Sequence, residues 1–249
     1  MTTGRVFISM LIGAALLTGH TQAHGQNRRG YAAISLIGDE LVVHERRGET
    51  GASIGGIKET RIDARGAGFD RIALLGVDDI IRQHESVVQT ALLGASAELY
   101  KRENQSLKIE DETFDYLAQA ASVSQRPYLI ALLKNRCPAR FMVAGRTVGE
   151  GQVEGLGFYL DDSAIFPNET DTSLSRGALI SFACFSEVLL DADTKQILSK
   201  RPIFEWSSKI NEAGMTSAWN LLSPKQKEGE LKELVRKGVQ DATPSLISH

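Results

Sequence analysis

The chain has 249 residues with 28 basic and 31 acidic side chains, a net charge of −3, so charge gives no case for nucleic acid or an anionic membrane surface as partner. Apolar content of 42% beside 24% charge is ordinary globular usage, which excludes a wholly disordered chain and a polytopic membrane protein.

In chain order, the first 23 residues carry the clearest signal. Arg5 opens a basic start, Val6 to Leu17 form an apolar run interrupted by Ser9 and Gly13, and Thr21-Gln22-Ala23 supplies small residues for a cut. That layout is a secretory signal peptide. The run of about 12 residues falls short of the roughly 20 that span a bilayer, so no integral membrane segment is expected after cleavage. No cysteine stands at the cut, so no lipid anchor is expected there either. The expectation is a signal peptide at 1–23 and a single mixed α/β domain at 24–249, periplasmic or secreted.

Tyr31 to Glu45 reads as two short strands joined as a hairpin by the turn signal Gly38-Asp39. Residues 46–68 hold six glycines and five basic residues with almost no apolar periodicity, which predicts a long mobile loop. From Phe69 to His84, apolar residues recur at three- and four-residue steps behind Asp70, a helix with Asp70 as its cap. Val87 to Leu93 reads as a strand, Ala95 to Arg102 and Phe114 to Ala121 as short helices, and Pro127 to Leu133 as a strand covered on both faces. Phe141–Thr147, Val153–Leu160 and Ala178–Leu190 are strand-like runs for which antiparallel pairing is the natural connection. Asp191 to Thr194 is a turn into a further strand, Gln196 to Ile203. Ser223-Pro224 caps a closing helix with the stripe Leu231, Leu234, Val235, Val239 and Ala242. The fold class is α/β (α+β): a mixed sheet, antiparallel in its second half and covered by helices.

Candidate chemistry is weak at every place it is sought. Gly149, Gly151, Gly155 and Gly157 count like a phosphate loop but have strands on both sides and no following lysine, so they read as hairpin glycines. His24, His44, His84 and His249 are isolated, and no metal or other cofactor is expected. The acidic clusters Asp78-Asp79, Glu110-Asp111-Glu112 and Asp161-Asp162 read as caps and solvated faces, with acid–base chemistry as the rival. The basic residues Arg46, Arg47, Lys58, Arg61, Arg65 and Arg71 are interspersed with Glu45, Glu49, Glu59 and Asp63 and read as a solvated stretch, with contact to an anionic lipid head group or polysaccharide as the rival. No catalytic, cofactor or metal residue is assigned. The two cysteines, Cys137 and Cys184, are either one disulfide of an exported protein or two separate buried thiols.

Three resemblances add to this reading. Ser35 to Glu40 resembles the opening block of the GDS-type esterases, yet Glu40 stands where that family has its nucleophilic serine. The segments Tyr31–Val43, Arg126–Lys134, Gly149–Asp161 with its EGLGFYL block, and Arg176–Asp193 resemble a group of exported proteobacterial proteins without assigned activity. The order of elements, with the segments PYLIALLKNR and LLDADTKQIL, is similar to the N-terminal domain of TolB and to CsgG-type envelope proteins. This last resemblance implies a non-enzymatic envelope binding or assembly protein whose partner is an envelope protein or polymer. The alternative is a secreted carboxylate-dependent hydrolase using acids such as Asp161 and Asp162.

Overall fold

The structure is a computed structural model. It describes residues 30–46, 56–85, 88–105, 115, 117–119, 124–167, 174–212 and 217–248. The expected signal peptide, residues 47–55 of the expected loop, His24, His249 and Glu110-Asp111-Glu112 lie outside the described residues. In order, the elements are β1 (Tyr31–Ser35), β2 (Glu40–Arg46), β3 (Ile57–Asp63), α1 (Phe69–His84), β4 (Thr90–Leu93), α2 (Ala97–Gln105), β5 (Tyr128–Lys134), β6 (Arg136–Pro138), β7 (Phe141–Val143), β8 (Arg146–Val148), β9 (Gln152–Pro167), β10 (Leu174–Asp191), β11 (Ile197–Ile210), a 3₁₀ turn (Ala218–Leu221) and α3 (Pro224–Ile247). The mixed α+β sheet expected from the sequence is present.

The longest strand, β10, is the spine of a forked sheet. Its one edge carries β11 in antiparallel register from Ala178 to Leu190. Along its other edge two strands follow end to end: β9 pairs with Leu174–Cys184 and β5 with Phe185–Asp191. One branch runs β9-β2-β3 and the other β5-β1-β4. Asn135 stands at the fork, its N–H donating to Cys184 O and its carbonyl accepting from Gly155.

The Gly38-Asp39 hairpin does not form. β1 is parallel to β5 and β2 is parallel to β9, while β5 and β9 both oppose β10, so β1 and β2 run in the same direction on different branches. The turn signal marks the step between branches, because Gly38 is needed for space: a Cβ there would lie 2.5 Å from Asp70 Oδ2 and 2.9 Å from Asp70 N. The long-loop expectation also needs correction. Residues 57–63 form β3, antiparallel to β2, with Glu40 opposite Asp63 and Arg46 opposite Ile57. Its polar composition hid it, since an edge strand exposed on nearly every residue has no apolar alternation to read. Phe141–Thr147 is a hairpin, β7 and β8, turned by Ala144 and Gly145 at positive φ, the two-residue geometry that matches strand twist.

Three packed clusters follow from this layout. One face of the sheet is covered by α1 and α3, whose stripes bury Phe69, Ala73, Val77 and Ile81 in the former and Leu231, Val235 and Val239 in the latter. The stripe expected for the closing helix is therefore correct, and its Ser223 cap forms a full capping box with Gln226. On the opposite face of the β5-β1-β4 branch, Leu99 of α2 and Leu117 join Ala32, Ile34 and Leu133. Opposite α3, the β9-β10-β11 region is covered by the β6–β8 excursion. There Phe141 sits 5.6 to 6.5 Å from the rings of Tyr159, Phe182, Phe204 and Trp206. The excursion is bonded to the spine by a Cys137–Cys184 disulfide with Cα atoms 6.0 Å apart. No helix among the described residues is long and apolar enough to cross a membrane.

Candidate functional site

The fork places a cleft where the parallel strands end. β1 lies between β4 and β5, to which it is parallel, and the chain reaches β4 through α1 on one face and β5 through α2 on the other. A reversal of this kind opens a crevice beyond the carboxyl ends of the strands, the usual ligand position in open α/β sheets. Two cavities of about 450 and 550 Å³ lie there, sharing Arg65 and Tyr100 in their walls.

Asp70 organises the cleft. It sits in the first turn of α1, which begins at Gly68 with no side-chain cap. The expected capping role is thus wrong: the Asp70 carboxylate turns away from its own helix. Its Oδ1 accepts from Ser35 Oγ at 2.5 Å, Ile37 N at 3.0 Å and Gly38 N at 3.1 Å, and its Oδ2 accepts from Tyr100 Oη at 2.6 Å. One side chain thereby joins the end of β1, the step to β2, α1 and α2. Burial pushes the Asp70 carboxyl above its ordinary value, against the pull of these four donors. The Tyr100 hydroxyl is raised by burial and by the neighbouring Asp70. Ser35 is 1% exposed and its hydroxyl is committed to Asp70, so it is a structural donor and not an accessible nucleophile.

Lys134 closes the fork from the other side. It ends β5, its stem within reach of a Cβ at Gly155 of β9, and its ammonium lies 2.7 Å from Asp39 and 3.2 Å from Glu40. Glu40 also pairs with Arg61 of β3, and Arg61 with Glu59. A lysine this buried is stable only because the two acids offset its desolvation. Asp63 pairs with Arg65, whose bonds hold the Asp63 carboxyl down to about 2. The Gly-Asp-Glu block is thus a structural step and ion-pair node, in place of an esterase turn.

The other candidate acids are held apart by similar duties. Asp161 is buried and accepts from Ser163 N, Ser163 Oγ and Ala164 N at 2.6 to 3.0 Å, with Arg46 at 3.2 Å. Asp162 instead caps the 3₁₀ turn, accepting from Ala218 N at 2.8 Å and Ser217 Oγ at 3.0 Å. Asp78 pairs with Arg82 one turn on. The basic stretch is largely neutralised, since Arg46, Lys58, Arg61 and Arg65 each face an acid. His44 is buried beside Tyr159 and Phe182, and burial lowers its pKa, which keeps it neutral. Gly149 and Gly151 occupy positive φ between β8 and β9, while Gly155, also at positive φ, and Gly157 lie within β9; β8 pairs with β7 and β9 with β6, so the four are not the glycines of a β8–β9 hairpin. Among the described residues, no three His, Cys, Asp or Glu side chains converge as metal ligands.

Sequence reasoning singled out neither Tyr100 nor Lys134. A lysine closing an otherwise apolar strand was the available signal for the second; nothing local marks the first.

No family model matches the chain, and no curated protein matches it. Among solved structures it is similar to a Helicobacter pylori protein described as a homolog of neuraminyllactose-binding hemagglutinin, at 4% identity, TM-score 0.43, covering 89% of this chain and 87% of that one. It is also similar to a Xanthomonas campestris protein of family DUF330, at 6% identity, TM-score 0.36, covering 88% and 84%. A hypothetical protein from Chlamydia trachomatis follows at 11% identity, TM-score 0.36, covering 89% and 99%. Identities of this size transfer no activity between proteins.

Proposed function

We propose that the chain is an exported, non-enzymatic binding or assembly module of the cell envelope, with the cleft at the fork as its contact site. The observation that carries this reading is the state of the cleft's carboxylates. Asp39, Glu40, Asp63 and Asp70 are each engaged by a cation or by several donors, which leaves none of them spare to take a proton from a substrate or a water. Arg71 and Lys101, in contrast, line the same cavities with no ion pair among the described residues. A cleft in this condition suits holding a ligand more than converting one. The bonded cysteines support export, because structural disulfides persist in oxidising compartments. A role like that of TolB or the CsgG-type proteins belongs to this proposal and rests on the order of elements.

The test pairs retention with turnover. The full chain is immobilised and exposed to envelope extract beside an Arg71→Glu, Lys101→Glu variant of equal stability. A partner retained by the wild type and lost by the variant is the expected result. Saturable hydrolysis of an ester or glycoside panel, abolished by Asp161→Asn or Asp162→Asn in a folded protein, would overturn the proposal in favour of a carboxylate-dependent hydrolase.

A further inference from the structure

Helix α3 lies along β10 and β11 and is tied to them by polar contacts on the face that also carries its apolar stripe. Glu230 accepts from Ser181 and Ser207, each at 3.0 Å, and Lys237 pairs with Glu205 at 2.7 Å. Toward the helix end, Thr243 Oγ1 donates to Glu187 Oε1 at 2.8 Å and Arg201 Nη2 donates to Ser245 O at 3.4 Å. This last set differs from the others. Glu187 is fully buried, and its Oε2 has no hydrogen-bond partner. Arg201 stands directly opposite it in the β10–β11 register, with a buried Nε that also lacks one. Directly opposed residues on one face of an antiparallel pair are within side-chain reach, yet the guanidinium is spent on a helix carbonyl. An ionised carboxylate in that position would outcompete the carbonyl for it.

The helix is weak at the same point. Pro244 has no N–H to return to the Gln240 carbonyl, so the last turn has lost one of its own bonds. That turn seats Leu246 and Ile247, 0% and 4% exposed, in the core shared with α1.

We propose that Glu187 and Arg201 form a proton-operated clasp on the C-terminal turn of α3: with Glu187 protonated, Arg201 holds the Ser245 carbonyl, and with Glu187 ionised, Arg201 swings to the carboxylate and frees the turn. Burial pushes the Glu187 carboxyl up to about 8, with only the Thr243 hydroxyl pulling the other way, so the changeover falls on the alkaline side of neutrality. The charged groups on the elements around it do not alter this. β11 presents Arg201 and, two alternations along, Glu205, already paired with Lys237 of α3. β5 presents Leu132 opposite, and the nearest charge on that face, Lys134, is held by Asp39 and Glu40. The clasp is independent of the binding reading of the cleft.

The test uses the full, oxidised chain with isotope labels. The carboxyl carbon of Glu187 is titrated by NMR while amide exchange at Leu246 and Ile247, corrected for intrinsic rate, is followed over the same range. The expected result is a loss of protection of about tenfold or more between about pH 6 and about pH 10, with the same midpoint as the Glu187 carboxyl. Glu187→Gln, which mimics the protonated state, holds its protection across the range, and Arg201→Met lacks it throughout. A Glu187 carboxyl titrating at its ordinary value, a turn insensitive to pH, or the same pH response in Glu187→Gln would overturn the clasp. Should Glu187→Gln not fold, the two wild-type midpoints decide alone, and their disagreement overturns it.

Discussion

Replacing Asp70 with alanine should be among the most damaging single changes near the cleft. The side chain accepts four hydrogen bonds, and truncation strands the buried N–H groups of Ile37 and Gly38 together with the Ser35 hydroxyl. Each stranded buried donor costs about 1–3 kcal/mol. Asp70 lines the larger cavity, so water can enter and satisfy part of the set, which brings the expected loss to about 3–5 kcal/mol. Asp70→Asn behaves differently. Its amide oxygen still accepts from the three Oδ1 donors, and its amide donates to a reoriented Tyr100 hydroxyl, so a loss of only about 1 kcal/mol is expected. Urea unfolding of the oxidised protein at fixed pH measures both, with an unchanged slope as the check that the denatured state is comparable. Equal losses for the two variants, or an alanine variant within about 0.5 kcal/mol of wild type, would refute the account of Asp70 as the knot of the fork.

Three further outcomes follow from the structure. Gly157→Ala places a Cβ 1.8 Å from the Val42 carbonyl oxygen, which only separation of β9 from β2 can relieve. A loss of about 3 kcal/mol or more is expected in calorimetry, and a melting point like that of wild type would contradict the close approach. Joint replacement of Cys137 and Cys184 by alanine opens a loop of 47 residues and should cost about 4 kcal/mol on the chain-entropy estimate, read by comparing urea midpoints with the oxidised wild type. Glu187 gives stability a slope in pH: the folded state keeps a proton up to about 8 that the unfolded chain releases near 4.5. Its contribution is therefore complete below the unfolded value and drains away as pH rises through the folded one, a few kcal/mol in all. Unfolding free energy measured across that range should decline in wild type more than in Glu187→Gln, and parallel curves would remove Glu187 as the cause.

How much of this was legible in the sequence depended on whether burial wrote a period into the residues. α1 and α3 show their core stripes at helical spacing, and the covered strands read as apolar runs, β5 unbroken from Tyr128 to Leu133 and β10 interrupted between Ala178 and Leu190 by Ser181, Ser186 and Glu187. β3 has no buried face, so its seven residues resemble a loop until a partner strand is known. The Gly38-Asp39 step misled for a different reason. Glycine was required by the approach of Asp70, a contact 32 residues away, and a local turn code cannot distinguish that need from a hairpin. The cleft has no local signature for the same reason: Ser35, Asp70, Tyr100 and Lys134 come from four elements and meet only at the fork. The two cysteines offer a possible pair in the sequence, but only the pairing of β6 with β9, itself beside β10, brings them into bonding distance.

The bond between Cys137 and Cys184 has a bearing on how the molecule matures. These are the only two cysteines in the chain, so within one molecule oxidation has a single product and no scrambled isomer to repair. Residue 184 marks the point on β10 where the pairing strand changes from β9 to β5, and the bond fastens at that junction. Maturation therefore calls for a dithiol oxidant but no shuffling catalyst, and the covalent step awaits synthesis of the whole stretch from residue 137 to residue 184.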